Sequence, residues 1–145
     1  MKSLYARSTS LKPSIRRAAV VLFSAVTVIG IFSSPAQAGS YTSYMKGVQP
    51  GFESTRWREE TSATTTTIKF TGCTSDGSVV NVTMAKDIGG APDTYYTKAA
   101  YTKCLESSTS TSTGTWNDHG AGSYYFIVND GGFSVVSVKS LTVSW

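Results

Sequence analysis

The sequence predicts an all-β protein, a small antiparallel β-sandwich or β-barrel of about six to seven strands with one disulfide. After residue 38 the chain is rich in Thr, Val, Ile, Tyr and Phe, the β-branched and aromatic residues that fit a pleated surface. Apolar and polar residues alternate in short runs. Gly-containing turn sequences separate these runs about every 8–12 residues, which is the spacing typical of a sandwich or barrel. No stretch after residue 60 has the apolar spacing of an amphipathic helix.

The first 38 residues have the three-part order of a secretory signal. Residues 1–17 contain five basic and no acidic side chains, residues 18–32 form an apolar run, and Ala36 and Ala38 supply an A-x-A cleavage site. The apolar run is shorter than the about 20 residues that span a bilayer. We therefore predict a cleaved signal, residues 1–38, a single secreted or cell-wall-associated β-domain, residues 39–145, and no stable membrane anchor after cleavage.

Removal of the predicted signal changes the charge of the protein. The whole chain has a net charge of +4, whereas residues 39–145 contain eight basic and nine acidic side chains and carry −1. A nearly neutral domain lacks the basic stripe expected of a nucleic-acid-binding protein and the basic cluster that attaches proteins to anionic lipid. We therefore predict no nucleic-acid partner.

The only two cysteines, Cys73 and Cys104, both lie in the predicted exported part. An even number of cysteines in an oxidising compartment predicts a disulfide, and the chain-entropy model values a loop of this length at about 3.5–4 kcal/mol. Two cysteines and one distant histidine lack the four ligands of a structural zinc site. The oxygen-rich turns at residues 76–78 and 129–131 lack the ligand pattern of an EF-hand. We predict no cofactor and no metal.

The first half of the predicted domain contains a lead-in and three candidate strands. Residues 39–51 are rich in Ser, Tyr and Gly and end in a Pro-Gly turn. Residues 52–60 alternate and favour an extended strand, with a short helical turn as the alternative. Residues 64–72 and 78–86 alternate clearly, and the Ser75–Gly77 turn between them predicts an antiparallel hairpin.

The middle of the domain is less regular. Residues 87–93 contain Gly-Gly and Pro and form a loop. Residues 94–105 predict a strand that has no purely polar face, which favours a central position in a sheet. Residues 106–115 are a Ser/Thr-rich segment, either a flexible loop or a solvated edge strand. Trp116 begins a turn-rich segment.

The C-terminal part contains two further strands. Residues 124–128 alternate strongly, and Asn-Asp-Gly-Gly at residues 129–132 predicts a turn. Residues 133–145 form the last strand. The parity of its apolar residues changes near residues 137–140, which predicts a β-bulge because one extra residue reverses the faces.

Two patterns could support hydrolysis, and neither is complete. His119 follows Asp118 and could act as a general base, but an Asn-Asp-His-Gly run is more typical of an exposed turn, and no nucleophile or second catalytic element can be assigned. Glu59 and Glu60 could form a carboxylate pair for glycoside cleavage. Adjacent residues on a strand point to opposite faces, so we predict no catalytic residue.

Tyr and Trp are too numerous for a domain of this size to bury them all, and exposed aromatic rings suit the binding of sugars or proteins. The candidate ligand-binding residues are Trp57, Trp116 and Tyr125. Our first hypothesis is a secreted non-enzymatic domain that binds a cell-surface or extracellular glycan or protein. The alternatives are a secreted effector, such as a bacteriocin-like antimicrobial or an enzyme inhibitor, and thirdly a small hydrolase. In layout, though in no motif, the chain resembles small single-disulfide exported proteins of Gram-positive bacteria.

Cleavage of the signal can be tested directly. Expression of the full-length chain in a secreting bacterial host should release a product that begins at Gly39, because the small residues at positions 36 and 38 direct the signal peptidase to that bond. N-terminal sequencing of the secreted protein measures this. A secreted product that still begins at Met1 would contradict the prediction.

Overall fold

The computed structural model describes residues 39–60 and 65–145, which form two antiparallel β-sheets packed face to face. The strands are β1 (Ser40–Val48), β2 (Phe52–Glu53), β3 (Trp57–Glu59), β4 (Thr66–Ser75), β5 (Val80–Asp87), β6 (Thr94–Tyr101), β7 (Thr111–Trp116), β8 (Gly122–Asn129) and β9 (Val136–Ser144). The predicted all-β class with one disulfide is confirmed, in its sandwich form rather than as a closed barrel. The predicted signal lies outside the described residues.

The strands divide into two sheets. The first sheet has the order β1-β9-β4-β7. The second sheet has the order β2-β8-β5-β6, and β3 also pairs with β8. The structure has more strands than the six or seven predicted because β1 lies in the predicted lead-in and the strand predicted for residues 52–60 is divided into β2 and β3. In the described part of the chain, no helix is long and apolar enough to cross a membrane.

The core lies between the two inner faces. The alternation predicted for residues 78–86 is confirmed, because Val80, Val82 and Met84 are all buried. Opposite them, Phe70 of the first sheet makes an edge-to-face contact with Phe126 of the second sheet, with 5.6 Å between ring centroids. Such contacts add to the burial of apolar area, so alternation in each sheet builds one shared core.

The predicted hairpin of residues 64–72 and 78–86 is wrong. β4 pairs with β7 and β9 in the first sheet, whereas β5 pairs with β6 and β8 in the second. The intervening turn therefore carries the chain from one sheet to the other. Both strands are central and each has one buried face, so both satisfy the alternation rule without being neighbours.

The strand predicted for residues 94–105 is shorter and lies elsewhere than expected. β6 ends at Tyr101, a 3-10 helix follows at Lys103–Leu105, and β6 is an edge strand of the second sheet rather than a central one. The edge-strand alternative for residues 106–115 holds for β7, but Trp116 ends that strand instead of beginning a turn segment. The position of β6 shows that a strand without a purely polar face can lie at the edge of a sheet.

Two N-terminal segments also differ from expectation. The lead-in at residues 39–51 contains β1, a nine-residue edge strand with a single buried residue, Met45, so its sequence shows no alternation. The extended strand predicted for residues 52–60 is interrupted between β2 and β3. There the Ser54 hydroxyl accepts a hydrogen bond from the backbone N–H of Phe126 at 2.9 Å, which replaces regular strand pairing locally.

The predicted change of parity in the last strand is confirmed. Val136 and Val138 are buried on even positions, and Leu141 and Val143 are buried on odd positions. The register between β9 and β1 shifts between these two pairs of residues. The bulge lets one long strand keep its apolar side chains inward along the whole core.

Cys73 and Cys104 form the predicted disulfide, with their Cα atoms 5.0 Å apart. Cys73 lies on β4 of the first sheet, and Cys104 lies in the 3-10 helix that follows β6 of the second sheet. The Tyr101 hydroxyl donates a hydrogen bond to the Ile68 carbonyl oxygen at 2.7 Å, also between the sheets. These two links fasten the β6 edge to the first sheet.

Two carboxylates fix loops of the sandwich. The Asp76 carboxylate accepts a hydrogen bond from the backbone N–H of Ser134 at 2.8 Å, and this bond holds its pKa below the ordinary 3.8. The Asp93 carboxylate accepts from the Tyr125 hydroxyl at 2.6 Å and from the Ile88 N–H at 3.0 Å, and these bonds lower its pKa in the same way. Both groups favour folding in their ionised form.

Removal of the disulfide should lower stability strongly. The variant C73A/C104A loses a cross-link across 31 positions of sequence, and we expect a melting temperature more than about 10 °C lower, since such a link contributes about 3.5 kcal/mol. Thermal unfolding followed by circular dichroism measures this. Reductant should lower the wild-type melting temperature and leave the variant unchanged, and a variant within about 2 °C of wild type would contradict the prediction.

The same two carboxylates should contribute to acid sensitivity. Because the folded pKa values lie below the unfolded ones, the unfolded chain binds more protons in acid, and the stabilisation present above pH 3.8 is lost as the pH falls further. We expect the melting temperature of D76N/D93N to fall less than that of wild type between about pH 6 and pH 2. The control Glu106→Gln, in an exposed loop, should follow wild type, and equal acid slopes for all three proteins would refute the prediction.

Candidate functional site

The three residues that the sequence singles out for ligand binding are all buried. The relative exposure is 4% for Trp57, 4% for Trp116 and 1% for Tyr125. Trp57 packs against Tyr124 and Trp145, with ring centroids 6.3 and 6.1 Å apart. The Trp57 ring is therefore part of the hydrophobic core.

Tyr125 lies on the outer face of the second sheet but is covered. The Arg56 guanidinium stands over its ring at 4.5 Å, and Arg56 also pairs with Asp87 and Glu53. Burial, followed by the hydrogen bond to Asp93, raises the pKa of the Tyr125 hydroxyl. The carboxylates hold the Arg56 guanidinium in place over the Tyr125 ring, and this cation–π contact shields the ring from solvent.

Trp116 borders an open cleft at the margin of the sandwich where the edge strands β6 and β7 face each other. The cleft has a volume of about 360 Å³. Its walls are aromatic, hydroxyl and amide side chains with one imidazole. They are Tyr95, Tyr96, Thr97, Thr115, Trp116, Asn117 and His119.

The position of the Trp116 ring depends on two local features. Its indole N–H donates a hydrogen bond to the Thr97 carbonyl oxygen at 2.7 Å, which joins β7 to β6 across the floor of the cleft. Gly114 lies two residues earlier, and a Cβ atom there would come within 2.6 Å of the Trp116 ring and 2.5 Å of the Tyr101 hydroxyl. The absence of a side chain at position 114 therefore lets both rings pack inward.

Tyr96 and His119 form a stacked pair in the cleft. Their ring centroids are 3.7 Å apart and their planes differ by 11°. The pairing of β5 with β6 shifts register between Thr83 and Ala85, so β6 has an extra residue near Tyr96, and the bulge turns that ring toward the loop that carries His119. Each ring covers one face of the other, so a ligand can pack only on the outer face of the pair.

The loop from Asn117 to Ala121 is held in place by its own polar contacts. The Lys86 ammonium donates a hydrogen bond to the His119 carbonyl oxygen at 2.9 Å, and the Asp118 carboxylate accepts from the Gly120 N–H at 2.7 Å. His119 is exposed in a turn, as the turn interpretation predicts. Asp118 is used by the backbone of the turn and does not orient the His119 ring.

Glu59 and Glu60, the acidic pair considered for glycoside cleavage, are not part of the cleft wall. Glu59 is buried, 3% exposed, and accepts hydrogen bonds from the Trp57 indole at 3.2 Å and the Thr66 hydroxyl at 2.6 Å. Glu60 is exposed and pairs with Arg58, so the two acids point to opposite faces as predicted. Burial and the nearby charge of Glu59 raise the pKa of Tyr96 above its ordinary 10.0, so that hydroxyl stays a hydrogen-bond donor well above neutral pH.

The cleft is chemically suited to recognition of a polar ring. Tyr95 stands at its mouth with 60% of its surface exposed, and Asn117, Thr97 and Thr115 supply amide and hydroxyl groups that both donate and accept. Residues 39–60 and 65–145 hold no group of three or more His, Cys, Asp or Glu side chains that could bind a metal. Aromatic faces combined with such groups match the two sides of a sugar ring.

Among the seven residues of the cleft, sequence reasoning proposed only Trp116 for ligand binding and did not predict the combination. The adjacent tyrosines at positions 95 and 96 are a visible signal, because two neighbouring strand residues must present rings to opposite faces. Their meeting with His119 depends on the pairing of strands and on the β6 bulge. Neither can be derived from local alternation.

Comparison of the chain with protein-family models, with curated protein sequences and with solved structures found no match.

Proposed function

We propose that the protein is a secreted, non-enzymatic domain that binds an extracellular glycan through the cleft between β6 and β7. The observation that carries this proposal is the open cleft itself, with the stacked pair of Tyr96 and His119, the exposed ring of Tyr95 and the amide of Asn117 in its walls. Support for export comes from the signal-like order of residues 1–38 and from the disulfide, since such bonds persist in oxidising compartments.

The size of the cleft favours a glycan over a protein surface. A volume of about 360 Å³ lies at the lower end of the range of about 300–1,000 Å³ for small-molecule sites. A stable protein partner typically covers about 800 Å² of each surface, with aromatic anchors at its centre. One sugar residue in the cleft, with its neighbours exposed, uses the space and the polar groups more fully.

The two kinds of group in the cleft have separate tasks. The C–H face of a sugar ring packs on the Tyr95 ring or the stacked pair, which removes apolar surface from water. The hydroxyls of the sugar exchange hydrogen bonds with Asn117 and Thr115 and with the protonated Tyr96 hydroxyl.

The proposal can be tested with variants of the exposed cleft residues. The secreted product of the full-length gene is incubated with insoluble chitin, cellulose and peptidoglycan, and the dissociation constant is measured from depletion of protein. We expect retention on at least one of these polymers. Y95A and H119A should each weaken binding about fivefold, because an aromatic contact contributes about 1 kcal/mol.

The matched control is Tyr44→Ala, which removes an equally exposed tyrosine, 72% accessible, from the first sheet. It should bind like wild type, and all three variants should keep the wild-type melting temperature within about 3 °C, since each lies at the surface. Equal affinity of the cleft variants and wild type, or no retention on any polymer, would contradict the proposal.

A further inference from the structure

The outer face of the first sheet carries hydroxyl side chains in rows that cross all or most of its strands. One row joins β1, β9, β4 and β7 through residues directly opposite one another in the strand register. Two further rows flank it. We call these three rows the hydroxyl face; they are Ser40–Ser144–Thr67–Thr115, Thr42–Thr142–Lys69–Thr113 and Ser140–Thr71–Thr111.

The rows are ordered by the sheet and by contacts between their own members. The hydroxyls of Thr71 and Thr111 are 2.7 Å apart, and those of Thr42 and Thr142 are 3.4 Å apart. Neighbouring strands are separated by about 4.8 Å, and successive residues on one face by about 6.8 Å. A sheet therefore presents donors and acceptors at a fixed repeat, and little side-chain entropy is lost when a ligand meets β-branched residues.

The charge on this sheet has one sign. Its four strands, all of them described, contain Lys46, Lys69 and Lys139 and no Asp or Glu. The acidic side chains of the described residues lie on the second sheet or in loops. The ion pairs formed between described residues involve Arg56 and Arg58, and none involves these three lysines. A nearly neutral domain thus has a positive face.

The lysines are spread along the strands rather than gathered at one point. Lys69 lies opposite Thr142 on β9, three residues from Lys139, so their Cα atoms are about 10 Å apart along the sheet. Lys139 and Lys46 line one shallow depression of about 260 Å³ at the end of the hydroxyl face, beside Tyr44. The three ammonium groups therefore offer separate points of contact to a chain that carries repeated charges.

We propose that the hydroxyl face binds an extended anionic polymer whose polyol or sugar units are linked by phosphodiesters. The lysines act as point charges for the phosphates, and the Ser and Thr hydroxyls donate to phosphate oxygens and exchange hydrogen bonds with the hydroxyls of the polymer. The charges and the repeat of the face match those of the polymer, and the face shares only Thr115 with the cleft. The inference therefore goes beyond the proposed glycan binding and does not rest on it.

The test uses the secreted product of the full-length gene and poly(glycerol phosphate) as the probe, with affinity measured by calorimetry or biolayer interferometry. We expect wild type to bind, and binding to weaken as ionic strength rises from about 50 to about 300 mM, since exposed charges are screened. K69Q/K139Q should lose about tenfold or more in affinity. The control Lys98→Gln, an exposed lysine of β6, should bind like wild type.

Three further arms separate this proposal from its competitors. T113V/T142V removes hydroxyls without changing shape or charge and should also weaken binding, which a purely ionic attraction would not show. Dextran should not bind, and polygalacturonate and duplex DNA should bind more weakly than the probe. Wild type that fails to bind, a lysine variant equal to wild type, a T113V/T142V variant equal to wild type, or equal affinity for DNA or polygalacturonate would each overturn the proposal.

The test of the hydroxyl face can be distinguished from the test of the cleft. Y95A and H119A should bind poly(glycerol phosphate) like wild type, and K69Q/K139Q should keep wild-type retention on neutral insoluble glycans. Failure of wild type to bind any neutral glycan therefore refutes the cleft alone, and failure of wild type to bind poly(glycerol phosphate) refutes the hydroxyl face alone. The melting temperature of each variant, expected within about 3 °C of wild type for surface positions, shows that folding is not the cause.

Discussion

The attachment of β6 to the first sheet is the constraint on which the candidate site depends. β6 pairs with β5 on one side only, so backbone pairing alone leaves it free to move away from β7. The Cys73–Cys104 disulfide, the Tyr101–Ile68 hydrogen bond and the Trp116–Thr97 hydrogen bond hold it there. A covalent link restricts the unfolded chain, whereas the two hydrogen bonds fix geometry. Together they keep two edge strands close enough to form a cleft.

Three buried aromatic residues have a hydrogen-bond acceptor for their polar atom. Tyr101 and Trp116 can be buried because a carbonyl oxygen accepts from each, and Trp57 can be buried because Glu59 does so. A buried donor without such a partner would cost about 1–3 kcal/mol. Tyr95 and Tyr44 have no comparable position in the core and remain exposed. The number of aromatic residues alone therefore does not measure how many are available to a ligand.

The fold class, the disulfide and the faces of β5, β8 and β9 were predictable because each depends on local alternation or on cysteine chemistry. Strand pairing was not, because alternation assigns a residue to a face without assigning a neighbour, and the β4–β5 turn fits a hairpin and a sheet crossing equally. The exposed strand β1 had too few buried residues to show a pattern. For the site, the burial of Tyr125 was not predictable because its partners Arg56 and Asp93 are distant in sequence, and the Tyr96–His119 stack requires the β6 bulge.

The two proposed surfaces meet at β7. Thr115 belongs both to a row of the hydroxyl face and to the wall of the cleft, and β7 is the outermost strand of its sheet. A polymer that lies across the rows therefore reaches the mouth of the cleft without crossing an acidic side chain of the first sheet. If a wall polymer carries both phosphodiesters and sugars, contact at one surface raises the effective concentration at the other. Two weak sites linked in this way bind the polymer more tightly than either site alone. The attachment of β6 to β7 keeps the two surfaces in a fixed relative position.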